Sequence, residues 1–562
     1  MRLVFALLAA MLSLAAAPLQ AQQRIGLHIT VFTLGDHLRL HFHTDLPVYE
    51  ILMDDLERDA TNEAPMRSVR LRQWRPGPGW QPYDNRVARR DGLAFQDADL
   101  DVFPDDLSIY WGDPILFPAG GGFVLNSRFL LGDQRRFNTT VVYRPREREL
   151  LYVNGVGPAA LEQREFWREV YLGPIASLSG DPHLRIIAGN DVPGWARARV
   201  AAEVAGALGF YQARLGALPW PPTLIMAALP EPLEKSPPRM SGRATPSGVL
   251  TFRFFGAEAL TDTEGGRAEL EEIAAHEVFH YWDAFVGHMR NEEGATWLVE
   301  GGAEYASMLA RRELGQLDSA RWYHELDKQL AACRTQLGSG GLSQLEGDAR
   351  HRAVYPCGVV IQWISDLAIR QATRTQSGFF DLWRALLARA RAQGGFYHEA
   401  DFRAVLAASD PAALSIVDLL FAPDPGDRWA RLRRQMEVYG VKTIPAPLGE
   451  PEAYRGVFGR LTQADCASQI PYRLVGEGGG IRLELDHPAC QHFGASTVVR
   501  SVEGHSMRFD IYAAYAAMVQ KCAAGLPIDL TLASGESVRV PCIRPLSPLP
   551  QSPQDFSVVA MP

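Results

Sequence analysis

The chain has 562 residues, 47% of them hydrophobic and 22% charged, and a formal net charge of −9. That length allows about three domains with cores of their own, and an acidic balance without a basic run excludes nucleic acid as the expected partner. Beyond the N-terminus no stretch can cross a bilayer, since the best later candidate, residues 359–369, is short and interrupted by Gln362, Ser365 and Asp366.

Residues 1–21 read as a secretory signal peptide: Arg2, an apolar run over residues 3–19 closed by Pro18 and Gln20, and a cut after the small Ala21. The mature protein is therefore expected to be secreted or periplasmic, with no transmembrane segment. Its six cysteines agree with that destination. In an oxidising compartment they are expected to pair, Cys333 with Cys357 and the last four (Cys466, Cys490, Cys522, Cys542) as two disulfides of open connectivity. None stands in a Cys-x-x-Cys pattern, so a structural zinc is not expected.

Residues 22–190 alternate with a period of two in short runs, at 24–34, 38–44, 48–53, 123–131, 139–144 and 150–153, each bounded by Gly, Pro, Asp or Asn. They predict an antiparallel β-sandwich-like domain.

A second domain, residues 191–444, opens with a helix over 195–215 ended by Gly216, then a strand over 223–229. The proline-rich 231–247 reads as a loop and 249–255 as a further strand, whose edge would suit an extended substrate. Residues 267–285 carry Leu270, Ala274, Val278, Tyr281 and Phe285 at helical spacing with no Gly or Pro inside. Within that helix lies His276-Glu277-Val-Phe-His280. Histidines at i and i+4 share one helix face, and each can reach a metal at about 2.0–2.1 Å. Glu277 lies about 100° round the helix, near enough to take a proton from a water without being a ligand. Two histidines leave the metal a protein ligand short. Glu300, twenty positions after His280 and at the start of a second predicted helix over 295–314, supplies the third. Glu304, one turn further on the same face, can accept from the far nitrogen of a ligating histidine.

His276-Glu-Val-Phe-His280-Tyr-Trp282 followed by Trp297-Leu-Val-Glu300-Gly-Gly-Ala-Glu-Tyr305 resembles the zinc site of the gluzincin metallopeptidases, in particular the alanyl- and glycyl-aminopeptidase-like families. The resemblance implies a thermolysin-like catalytic domain and one Zn2+ per chain. It also implies that Tyr355, in Tyr355-Pro-Cys-Gly358, steadies the oxyanion of the tetrahedral intermediate. Two features depart from those families. The interval to Glu300 is about one residue longer, and the strand that usually carries a glutamate for the substrate's free amino group reads Thr245-Pro-Ser-Gly-Val-Leu-Thr-Phe252, without an acid.

Residues 319–439 are predominantly helical and would form the lobe that supplies Tyr355. Residues 445–562, after the linker Pro445-Ala-Pro-Leu-Gly-Glu-Pro451, form a small disulfide-bearing module with a faint likeness to the latter half of a PDZ domain, and a proline-punctuated tail from Leu546 that should be extended or disordered. The fold class is therefore α+β multidomain. The expected function is an exported zinc metallopeptidase acting on a peptide or protein substrate, endo- or aminopeptidase, with oligomeric state open. The alternatives are a noncatalytic secreted binding protein on the same scaffold and a zinc hydrolase of a non-peptide bond.

Overall fold

The computed structural model describes residues 24–53, 74–83, 86–103, 115–116, 122–126, 130, 132–133, 136–146, 149–152, 162–163, 169–174, 178–180, 183–218, 221–229, 240–245, 248–289, 295–337, 340–374, 376–423, 426–447, 450–466, 472–477, 480–485, 490–494, 496–542 and 551–560. The expected signal peptide lies outside the described residues. The chain forms two compact units, residues 1–192 with 221–237, and residues 193–220 with 238–562.

The first unit is built on β1 (Ile25–Leu34), β2 (His37–Val48), β3 (Phe95–Val102) and β4 (Phe137–Arg144). β1 pairs antiparallel with β2 and β2 with β3, while β1 and β4 run parallel, the exception among the described pairings of their own sheet. Strict alternation explains the pairing. Leu27, Ile29 and Val31 of β1, Leu38, Leu40 and Phe42 of β2, and Leu100 and Val102 of β3 all face one core, each contributing about 1.5–3 kcal/mol by its burial. A four-stranded antiparallel sheet adds Phe123, Leu125, Val170 and Leu172 to the same core, which gives the predicted sandwich-like β domain. The stretch from Arg75 to Gly79 is not the long loop its Pro and Gly content suggests: Trp74–Pro76 and Trp80–Tyr83 are both strands.

The second unit is mainly helical. α1 (Gly194–Leu215) ends at Gly216, whose φ of 96° few other residues adopt. Next come β5 (Met240–Ala244) and β6 (Val249–Phe255), an antiparallel pair. α2 (Glu264–Tyr281), α3 (Thr296–Glu313), α4 (Ser319–Leu337), α5 (Gly347–Ala372) and α6 (Phe379–Ala392) follow. Part of the expected 231–247 loop is thus strand. Among the described residues β5 ends its sheet, so it is β5, not β6, that offers an edge.

The C-terminal module packs two helices, Glu450–Asp465 and Ile511–Ala523, on a sheet with strands Tyr472–Glu477, Gly480–Leu485, Ser496–Val502, Ile528–Leu532 and Ser537–Val540. Its open disulfide pairing resolves as Cys466–Cys490 and Cys522–Cys542, beside the expected Cys333–Cys357. The end of the tail, extended as expected, is an ordered strand. Gln551–Ala560 pairs antiparallel with Lys442–Pro447, and Val558 N–H donates to Asp327 at 2.8 Å. Among the described residues no helix is long and apolar enough to cross a membrane, which with three disulfides is compatible with a secreted or periplasmic protein.

Candidate metal centre

The site is assembled within the second unit on α2. Thr263 caps that helix by accepting from Gly266 N–H at 3.0 Å, and Leu270, Ala274, Val278 and Tyr281 anchor its apolar face. Tyr211 of α1 holds the helix from behind, its hydroxyl donating to the Ala275 carbonyl at 3.0 Å. His276 and His280 therefore share a fixed face, with ring centroids 4.8 Å apart. The sequence predicts a regular helix to residue 285, whereas α2 passes at Trp282 into a π-helical turn, Trp282–Val286, held by Trp282 Nε1–H to the Gly216 carbonyl at 3.0 Å.

Glu300, at the start of the second turn of α3, completes a triangle. Nε2 of His276 lies 3.1 Å from Nε2 of His280 and 3.4 Å from Glu300 Oε2, and His280 Nε2 lies 3.7 Å from that oxygen. Four donors about 2.1 Å from a tetrahedral ion stand about 3.4 Å from one another, so the donor set and its spacing fit zinc. Among the described residues, the other group whose donor atoms stand this close together, Asp465 with Cys466 and Cys490, has its sulfurs joined in a disulfide.

A carboxylate stands behind each imidazole. Glu304 Oε2 lies 3.3 Å from His276 Nδ1, where the i+4 spacing from Glu300 predicts it. Buried Asp283, which the sequence reading missed, sets both oxygens 3.1 Å from His280 Nδ1. A carboxylate three residues after a candidate ligand was the available signal. The π-helical turn that holds it, with its carbonyl bound by the Tyr397 hydroxyl at 3.3 Å, was not legible.

Burial alone would lower both histidine pKa values, but the surrounding carboxylates outweigh it. Asp283 and Glu300 lift His280 to about 9, and Glu300 and Glu304 lift His276 well above its ordinary value. Burial would raise Glu300, but the two imidazoles bring it down to about 2. Without metal, the carboxylates therefore favour the protonated form of these imidazoles. An incoming ion must displace those protons, so zinc affinity should rise from pH 6 towards 9 by about tenfold per unit for each proton released, then level off. Competition with a chromophoric chelator across that range measures it.

Glu277 points to the other side of the site. Its Oε2 accepts from Ala244 N–H of β5 at 2.7 Å, which leaves the second oxygen for a water. Burial raises its pKa, with the two imidazoles opposing. β5 comes this close because residue 242 is glycine: a Cβ there would lie 2.4 Å from Ile273 Cγ2 and 2.6 Å from Glu277 Cγ.

Tyr355 reaches the site from α5. Its ring lies 6.4 Å from that of His276, and its hydroxyl donates to Glu300. Burial, then Glu300, pushes its pKa up, so it stays a neutral donor. The approach depends on two glycines where α3 meets α5. A Cβ on Gly301 would fall 2.3 Å from Gly358 Cα, and one on Gly358 would fall 2.5 Å from the Trp297 carbonyl oxygen. The Cys333–Cys357 disulfide ties α5 to α4 beside this crossing. Gly358→Ala should force the helices apart, costing about 1–3 kcal/mol of stability and lowering kcat more than it raises KM, which thermal melts and steady-state kinetics would show.

No protein-family model matches the sequence, and no curated protein matches it significantly. Solved structures that resemble it include M1 zinc metallopeptidases and an aminopeptidase. The M1 zinc metallopeptidase of Deinococcus radiodurans is 15% identical with a TM-score of 0.42, over 71% of this chain and 93% of that one. Aminopeptidase A of Legionella pneumophila is 12% identical with a TM-score of 0.41, over 83% of this chain and 52% of that one.

Proposed function

We propose that the chain is a zinc-dependent hydrolase of peptide bonds, with His276, His280 and Glu300 as the ligands of one ion. The observation that carries the reading is the triangle of 3.1, 3.4 and 3.7 Å between their donor atoms, with an untied Glu277 oxygen beside it. A zinc ion held there supplies charge that lowers the pKa of a water to about 7 and polarises a substrate carbonyl.

The side chains do the rest. Glu277 takes the proton of the attacking water and returns it to the leaving amine; its anchored oxygen keeps the carboxylate aimed. The Tyr355 hydroxyl, resting on Glu300, turns to the oxyanion as charge develops. Glu304 and Asp283 hold the imidazoles in one tautomer. β5, at the end of its sheet, offers backbone groups to an extended chain next to the base.

β5 reads Met-Ser-Gly-Arg-Ala and the residues after it, as far as Phe255, are equally free of carboxylates, so this strand pair offers no acid to a free amino terminus. The test therefore uses fluorogenic peptides blocked at both ends. Cleavage that stops with a chelator and returns with Zn2+ supports the reading; a metal-loaded protein inert to blocked and unblocked peptides alike would overturn it. In the same assay Tyr355→Phe should lower kcat by about 10²–10³-fold with KM little changed, because the lost hydrogen bond is made in the transition state.

A further inference from the structure

The outer face of the first unit's central strands carries side chains that neither the core nor the proposed reaction uses. Their register is fixed. His28 of β1 stands opposite His43 of β2, which stands opposite Asp97 of β3. The next outward row is Thr30, His41 and Asp99, and the one after it Phe32, Arg39 and Asp101. The third row is an ordinary cross-strand ion pair, with Arg39 donating to both oxygens of Asp101 at 2.7 and 3.0 Å. Charge balance would be met as well by arginine in the other two rows. What imidazoles add at those positions is a lone pair.

His41-Phe-His43 sets two rings on one face of one strand, and His28 brings a third, its centroid 6.3 Å from that of His43. Each ring is held through one nitrogen by a carboxylate: His43 Nδ1 to Asp97 at 2.7 Å, His41 Nδ1 to Asp99 at 2.9 Å, and His28 Nε2 to Asp45 at 3.3 Å. Carboxylates orient ligating histidines in this way. Asp97 Oδ1 is also 3.6 Å from His41 Nε2, so one carboxylate borders both rings; the donors are not gathered as those of His276, His280 and Glu300 are, and an ion would have to draw them together. The His41 and His43 side chains are 39% and 45% exposed, so they can turn to close on an ion without disturbing the apolar face beneath.

We propose that His41, His43 and Asp97, with His28 beside them, bind a divalent transition-metal cation of the class of Zn2+, Ni2+ or Cu2+, separately from the catalytic ion, and that it clips β2 to its neighbours. Imidazole donors select that class over Ca2+ and Mg2+, which take oxygen ligands.

The test uses the full chain with His276→Ala and His280→Ala, so that the ion of the proposed active site is absent, titrated with Ni2+ by calorimetry. One Ni2+ per chain is expected, with binding weakened at least tenfold by adding His41→Asn and His43→Asn and undisturbed by excess Ca2+. Asp97→Asn alone should also weaken it, which keeps the test decisive if the double change disturbs folding by circular dichroism. No Ni2+ binding, equal binding in the folded Asn variants, or displacement by Ca2+ would each overturn the proposal. The outcome does not depend on the chain's being a peptidase.

Discussion

Glu277→Gln should lower kcat on a blocked peptide by about 10³-fold, within the range a positioned general base and acid supplies, while KM and zinc content stay close to wild type. Glutamine keeps the shape of the side chain, and its amide oxygen can still accept from Ala244 N–H, so the contact between α2 and β5 survives. What is lost is the carboxylate's capacity to hold a proton between attack on the carbonyl and departure of the amine. Paired steady-state kinetics and metal analysis make the comparison. A fall in zinc content to match the fall in rate would instead make Glu277 a structural member of the site.

Glu300→Ala should weaken zinc binding by more than the 10–100-fold typical of losing a supporting partner, and activity should disappear with the metal. Glu300 is both a side of the donor triangle and the rest position of the Tyr355 hydroxyl, so its loss leaves two ligands and an unpartnered phenol. Glu304→Ala and Asp283→Asn remove carboxylates that touch only the far nitrogens of the imidazoles, and each should cost less. The order Glu300 above Asp283 and Glu304, read as zinc affinity by chelator competition, separates a ligand from the groups that orient ligands. Equal losses at all three positions would contradict the assignment.

Much of this site could be read before the fold was known, because a helix converts spacing directly into geometry. His276, Glu277 and His280 needed only a 3.6-residue period, and Glu304 followed from Glu300 by the same rule. The helix over α3 and the strand Val249–Phe255 were legible because their apolar residues are contiguous or periodic. What failed depended on tertiary partners. β5 hides among prolines and holds a buried glycine and an arginine, so only its pairing with β6 and its contact with α2 make it a strand. β3 reads Phe-Gln-Asp-Ala-Asp-Leu-Asp-Val; its three aspartates suggest a loop until β2 supplies His43, His41 and Arg39 opposite them. Asp283 lies in the π-helical turn that replaces the end of the predicted regular helix. The Gly301–Gly358 crossing is a contact between residues far apart in sequence, and periodicity carries no information about it.

The most direct test of the central claim is zinc-edge X-ray absorption on the purified chain carrying His41→Asn and His43→Asn, together with its metal content. One zinc per chain is predicted, with two imidazole nitrogens and one or two oxygens at about 2.0–2.1 Å and no sulfur. A sulfur scatterer, a shell of oxygens alone, or no bound metal after equilibration with Zn2+ would contradict it.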